Sequence, residues 1–183
     1  MMQLPHEQLH VLGLSFGGWN AANLALHQQD KIASLVLVDP VYVFDSIPFT
    51  MILASIPASI PFIPTSIHEE VLSYISGGAE VNEAGPVGAL IETGMRTFKS
   101  KTPMPGLLSK DDLQSLQIPV LGILAGKSTM HHPDEAMATG RENLSHSLSP
   151  MVLFEDASHA INGEYPEELA KVIAEFLDEV DEH

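Results

Sequence analysis

The sequence contains no cysteine. A disulfide framework, a thiolate zinc site and a cysteine nucleophile are thereby excluded. Basic residues are scarce: 8 Lys and Arg stand against 24 Asp and Glu, for a net charge of −16. Nucleic-acid binding needs a basic face, and none is evident. The acidity reads as a solvated surface that favours solubility. A long uninterrupted apolar run is also lacking. Residues 47–63 are apolar, but Pro48, Pro57 and Pro61 interrupt them. A spanning helix needs about 20 apolar residues in sequence, so this stretch is expected to form a lid or groove wall and no membrane span is predicted. Met1 to Glu7 shows no apolar h-region, so no secretory signal is predicted and a cytoplasmic location is expected. No internal repeat is found. What the chain does have is apolar residues, 45% of its 183 positions. That is enough for the core of one domain, with or without an insertion.

Leu9 to Leu14 is a short apolar run that reads as a buried strand, turned sharply by Ser15-Phe16-Gly17-Gly18. Trp19 to Gln29 carries alanines and leucines at helical spacing, and Ser34 to Val38 reads as a second buried strand ending at the breaker pair Asp39-Pro40. Strand, helix, strand argues a parallel sheet covered on both faces. Residues 41–116 break that rhythm and hold most of the prolines. Ser66-Ile67-His68-Glu69 reads as a capping box opening a helix to about Ser76, a second helical stretch runs from about Val87 to Phe98, and Ser109-Lys110-Asp111-Asp112 opens a third. The region is read as a helical cap. The alternation resumes with strands at Val120 to Ala125 and Met151 to Phe154, separated by a helix from about Pro133 to Leu144. Pro166 starts a last amphipathic helix with Leu169, Val172, Ile173, Phe176 and Leu177 on one face. The acidic run Asp178 to Glu182 is expected to be an exposed, fraying tail.

Gly13-Leu14-Ser15-Phe16-Gly17 matches G-x-S-x-G, with an apolar strand before it and a helix immediately after. In that context the turn lifts the Ser15 hydroxyl above the sheet as a nucleophile. Gly13 and Gly17 are expected to remove side chains that would collide in so tight a turn. The Phe16 N–H, at a helix N-terminus, then faces any negative charge developing on a substrate. A plain Gly-Ser turn is the bland alternative. A Gly-rich phosphate loop would need its lysine, which is missing, and G-x-G-x-x-G is absent as well.

Three stretches now carry a resemblance: His10 to Trp19, the junction Leu113 to Leu121, and Asp156-Ala157-Ser158-His159-Ala160 with Glu164-Tyr165-Pro166. With them the chain resembles the C-terminal two-thirds of an α/β-hydrolase-fold serine hydrolase, carboxylesterase-like, with a helical cap between the sixth and seventh strands. The resemblance implies a mostly parallel sheet with flanking helices, of which the four strands read here are the last four. Residues 1–40 would be core with the nucleophile elbow, 41–116 the cap insertion, and 117–183 core with the catalytic histidine. His159, just after the last strand, stands where the family has its general base, and serine precedes histidine as the family requires. The other reading of His159 is a surface-loop histidine.

The acid departs from the family pattern. Its usual place follows the third strand read here, where the chain has Gly126-Lys127-Ser128-Thr129, and Thr129 cannot serve. Two carboxylates remain. Asp39 ends the second strand, as in relatives resembling haloalkane dehalogenases and certain lipases, and Asp134 lies a few residues late on the usual loop. Asp39 is favoured because a strand-end carboxylate is rigidly held. Asp39-Pro40 could also be a simple turn pair and Asp134 a first-turn helix residue. His6 with His10, and His131-His132 with Asp134, are histidine groups without a metal-site spacing, so no metal is expected. No cofactor is implied.

Residues 1–8 leave no room for the loop that carries the family's second oxyanion donor, or for earlier strands. The strand leading to Ser15 is therefore expected to present an unpaired apolar edge that drives dimerisation or pairing with another chain. The function expected is hydrolysis of a small carboxylic ester through an acyl-enzyme, in an apolar pocket lined by Ile47, Phe49, Ile52, Ile56, Ile60 and Phe62. Carbon–carbon bond hydrolysis on the same residues, and a non-catalytic binding module that keeps the fold, are the alternatives.

Overall fold

The computed structural model describes residues 6–55, 73–74, 93–94, 97, 103 and 105–183. Four apolar segments form one parallel sheet in the order β1-β2-β3-β4, with β1 Leu9–Leu14, β2 Ile32–Val38, β3 Val120–Ala125 and β4 Met151–Phe154. The helices are α1 Phe16–Gln28, α2 Phe49–Ser55, α3 Lys110–Ser115, α4 Pro133–Asn143, α5 Ile161–Glu164 and α6 Pro166–Asp181. Two corrections to the expected bounds follow from the sheet. The helix after the elbow starts at Phe16 rather than Trp19, and β2 begins at Ile32. The cap helices expected around residues 66–76 and 87–98 fall largely outside the described residues, although Ser73-Tyr74, Thr93-Gly94 and Thr97 are helical.

The period of two along a strand sends alternate side chains to opposite faces, and two cores result. Leu35, Leu37, Val120 and Leu124 join Ala21, Ala22 and Ala25 of α1, Leu113 and Leu116, and Ala136 and Met137 of α4. Val36, Val38, Leu121 and Ile123 point the other way, onto Ile161, Leu169 and Phe176 of α5 and α6. Full burial of each such Leu, Val, Ile or Phe contributes about 1.5–3 kcal/mol. The alanines on α1 let that helix lie close on β1 and β2, which places its N-terminus directly over the strand ends. The pro-helical Ser109 works as expected. Its hydroxyl accepts the Asp112 N–H at 3.1 Å, and the Asp112 carboxylate accepts the Ser109 N–H at 2.9 Å.

The C-terminal acidic run is not a frayed tail. It continues α6 to Asp181, with Val180 packed against the second core and Asp181 beside His10 at 3.2 Å. The alternating apolar face of α6 carries helix through the charges. Among the described residues, no helix is long and apolar enough to cross a membrane.

β1 pairs with β2 on one side only among the described residues, and Leu12 on it is 54% exposed. An open apolar strand edge recruits another strand. A chain in which this edge stays open is expected to self-associate through it. Light scattering that gave only the monomer mass would contradict this.

Candidate active site

Ser15, Asp39 and His159 follow the carboxyl ends of β1, β2 and β4, each tied to its neighbour by the sheet. The Ser15 N–H donates to Val38 O at 3.0 Å and the Asp39 N–H to Ile123 O at 2.7 Å, so the elbow is fixed to β2 and Asp39 to β3. The loop of His159 is tied in the same way, through Gly126 N–H to Phe154 O at 2.8 Å and Lys127 N–H to Ala157 O at 2.9 Å. Glu164 holds that loop from the far side, accepting from the Ser158 N–H at 2.7 Å and the Ser158 hydroxyl at 2.8 Å.

Ser15 occupies the N-cap position of α1 with φ 54° and ψ −124°, a backbone region that costs a non-glycine residue roughly 1–3 kcal/mol. Serine is among the preferred caps because its hydroxyl can accept an N–H of the first turn. Here it makes no such bond. The Oγ lies instead 2.8 Å from His159 Nε2. The strained turn thus aims the hydroxyl away from the helix and across the sheet.

A Cβ on Gly13 would sit 2.3 Å from Gly17 O, and one on Gly18 would sit 2.6 Å from Pro40 Cβ, whereas one on Gly17 would meet nothing within 4 Å. The steric role expected of Gly17 therefore belongs to Gly18, because the helix turns Gly17 outward and Gly18 onto the loop after β2. Gly13→Ala is expected to lower stability by more than about 2 kcal/mol, since backbone must shift to admit it. Gly17→Ala is expected to be neutral or slightly stabilising, as for an alanine replacing an unconstrained helical glycine. Thermal unfolding of the two variants checks the contrast.

His159 Nδ1 lies 2.5 Å from Asp39 Oδ2. Asp39 is fully buried and has φ 41°. Its Oδ1 accepts the Ala125 N–H at 2.8 Å and faces His131 Nε2 at 2.7 Å, while its Oδ2 also accepts the Ser128 hydroxyl at 2.7 Å. Burial alone would raise the Asp39 pKa. Hydrogen bonds from His131 and His159, with the charge interactions of the two rings, more than offset that and hold it well below the usual carboxylate range. An ionised carboxylate only accepts, so His159 Nδ1 and His131 Nε2 carry the hydrogens. With Nδ1 on Asp39, the His159 ring presents Nε2 to the Ser15 hydroxyl.

Asp134 is not part of this group. It is exposed in the first turn of α4, and both ring nitrogens of His159 are engaged elsewhere. Thr129, the residue at the family's usual acid position, donates its hydroxyl to Tyr74 O at 3.1 Å. Phe16, whose N–H was named as an oxyanion donor, is the first residue of α1, where N–H groups have no intrahelical acceptor. Its ring stacks on Trp19 at 6.0 Å between centroids.

Of the histidine groups considered for a metal, His10 is engaged with Ser34 Oγ at 2.8 Å and with Asp181. Asp45, His132 and Glu135 have ligand atoms within 4.8 Å of one another. Asp45 Oδ2 there accepts the His132 N–H at 2.8 Å and lies 2.9 Å from its ring Nδ1, contacts that serve the start of α4. A cleft of about 510 Å³ runs beside this loop, lined by Pro48, Thr50, Tyr74, Ser128, Thr129 and His131 to Glu135. Its wall is mixed in polarity, unlike the apolar pocket expected from residues 47–62. Ile56, Ile60 and Phe62 of that expectation lie outside the described residues, Phe49 and Ile52 are exposed, and Ile47 packs against Val41, Met51 and Met130.

Ser128 and His131 are the site residues that sequence reasoning passed over. The sequence signal was limited to a loop that lacks its expected carboxylate, which singles out neither residue. A buried carboxylate at the end of β2 needs hydrogen-bond donors from the neighbouring loop, and Ser128 and His131 supply them.

Comparison with known proteins follows the same lines. A family model described as the alpha/beta hydrolase family matches residues 3–172. No curated protein sequence matches the chain. Among solved structures, carboxylesterase CesB (YbfK) from Bacillus subtilis is similar with a TM-score of 0.79 at 21% identity, over 96% of this chain and 62% of that one. Naproxen esterase (carboxylesterase NP) from Bacillus subtilis gives 0.77 at 18% identity, over 93% and 60%. A meta-cleavage product hydrolase from Pseudomonas fluorescens IP01 gives 0.72 at 18%, over 94% and 65%. The chain thus spans 60–65% of the length of these proteins.

Proposed function

The chain belongs to the alpha/beta hydrolase family, and we propose that it hydrolyses small carboxylic esters through an acyl-enzyme on Ser15. The observation that carries this reading is the continuous hydrogen-bonded line from Ser15 Oγ through His159 to Asp39, at 2.8 Å and 2.5 Å. In this reading His159 Nε2 takes the Ser15 proton as Oγ attacks the ester carbonyl. The tetrahedral oxyanion forms against the Phe16 N–H and the N-terminus of α1. Collapse breaks the C–O bond, and His159 returns the proton to the departing alcohol. Water, deprotonated by the same imidazole, then cleaves the acyl-Ser15 ester and regenerates the hydroxyl. Asp39 orients the ring and stabilises the imidazolium without taking the proton.

The test is the hydrolysis of p-nitrophenyl acetate and butyrate by the chain and by Ser15→Ala, run beside a vinylogous 1,5-diketone for carbon–carbon cleavage. Ester turnover that depends on Ser15 supports the reading. Turnover of the diketone alone would transfer the same residues to the carbon–carbon hydrolase alternative, which a neighbour of that activity also suggests.

A further inference from the structure

His131 sits outside the line of proton transfer, yet it is more deeply buried than His159. Its side chain is 1% exposed, and its Nε2 lies 2.7 Å from Oδ1 of the fully buried Asp39. Its other ring nitrogen, Nδ1, is buried and has no hydrogen-bond partner among the described residues. Leaving such a group unmatched costs roughly 1–3 kcal/mol. Packing alone would be met better by a leucine or phenylalanine. The ring is therefore held for what its Nε2–H does to Asp39.

We propose that His131 is a positioning residue of the hydrolytic site, holding Oδ1 of Asp39 so that Oδ2 meets His159, and setting how strongly Asp39 binds the His159 proton. The inference rests on the reading of Ser15, His159 and Asp39 as the catalytic group. Asp39 shares its negative charge among four donors: the Ala125 N–H and His131 on Oδ1, and the Ser128 hydroxyl and His159 on Oδ2. Each donor weakens the hold of the carboxylate on the others. Removing His131 leaves Oδ1 with one donor and frees the carboxylate to rotate. The imidazolium form of His159 is then favoured, and the base loses its proton at higher pH.

Other charges border the pair on two sides. On the cleft side His132 is bonded to Asp45, while Asp134 and Glu135 are exposed in the first turn of α4. On the loop side Lys127 pairs with Asp156 at 2.9 Å and Glu164 holds Ser158. None of these carries a hydrogen bond to Asp39, so His131 has the most direct control over it after His159 itself.

The experiment measures the rate of Ser15 phosphonylation by a fluorophosphonate, across the acidic to neutral range, in the wild-type chain and in His131→Phe, His131→Asn and His131→Gln. The glutamine amide can reach Oδ1 as Nε2 does, and asparagine is too short. Phe and Asn variants are expected to react about 10- to 100-fold more slowly, the scale of one lost hydrogen bond to a charge. Their acid limb should move to higher pH, while Gln keeps it close to wild type. If Phe does not fold, Asn carries the same expectation. Slower labelling with coincident acid limbs in all four proteins would make His131 merely structural and overturn the proposal. No labelling of Ser15 in the wild-type chain would overturn the catalytic reading and this inference with it.

Discussion

Asp39→Asn is expected to lower kcat about 10⁴-fold, the scale of losing the orienting carboxylate in a serine, histidine and aspartate group. The amide keeps the shape of the side chain, but it presents a donor where His159 Nδ1–H needs an acceptor. The ring then settles in the tautomer that points a hydrogen at Ser15, and the base is lost. Asp134→Asn is expected to change kcat less than twofold, because Asp134 is exposed on α4 and away from the ring. Its helix-dipole contribution is about 0.3–1 kcal/mol of stability. Equal losses in the two variants would remove Asp39 from its role.

The same substitution carries a pH signature. Folding holds the Asp39 pKa below its ordinary value, so the folded chain favours the ionised form. That contribution is fully present above the unfolded pKa of about 3.9, and it is lost as pH falls from there through the folded value. The stability gap between wild type and Asp39→Asn should therefore be constant near neutrality and narrow below about pH 4. Denaturant midpoints measured across that range check it.

The strands were legible because each is a short apolar run bounded by turn residues, and β3 and β4 end where the runs end. The elbow was legible for a stronger reason. Gly13 has no room for a Cβ and Ser15 takes a left-handed backbone, so strand, glycine, serine and helix must occur together. Asp39 could be favoured but not isolated, since a strand-end aspartate before proline suits both a turn and a catalytic acid. His131 was not legible as a partner of Asp39. The contact joins residues 92 positions apart, and no local pattern encodes it. The exchange of roles between Gly17 and Gly18 is of the same kind, because it depends on Pro40 packing against the first turn of α1.

Ser15→Ala removes the only atom of the site that forms a covalent bond to substrate in this account. The loss in kcat should approach that of dismantling the whole group, on the order of 10⁶-fold. The hydroxyl makes no capping bond, so its removal takes no backbone partner from α1, and the fold is expected to survive. Stability and activity should separate: an unfolding midpoint near wild type beside a dead enzyme. Mass spectrometry of the chain after reaction with a fluorophosphonate tests the central claim most directly. The account predicts one adduct per chain, on the peptide that contains Ser15, and none in Ser15→Ala. An adduct on another serine, or one that persists in Ser15→Ala, would contradict it.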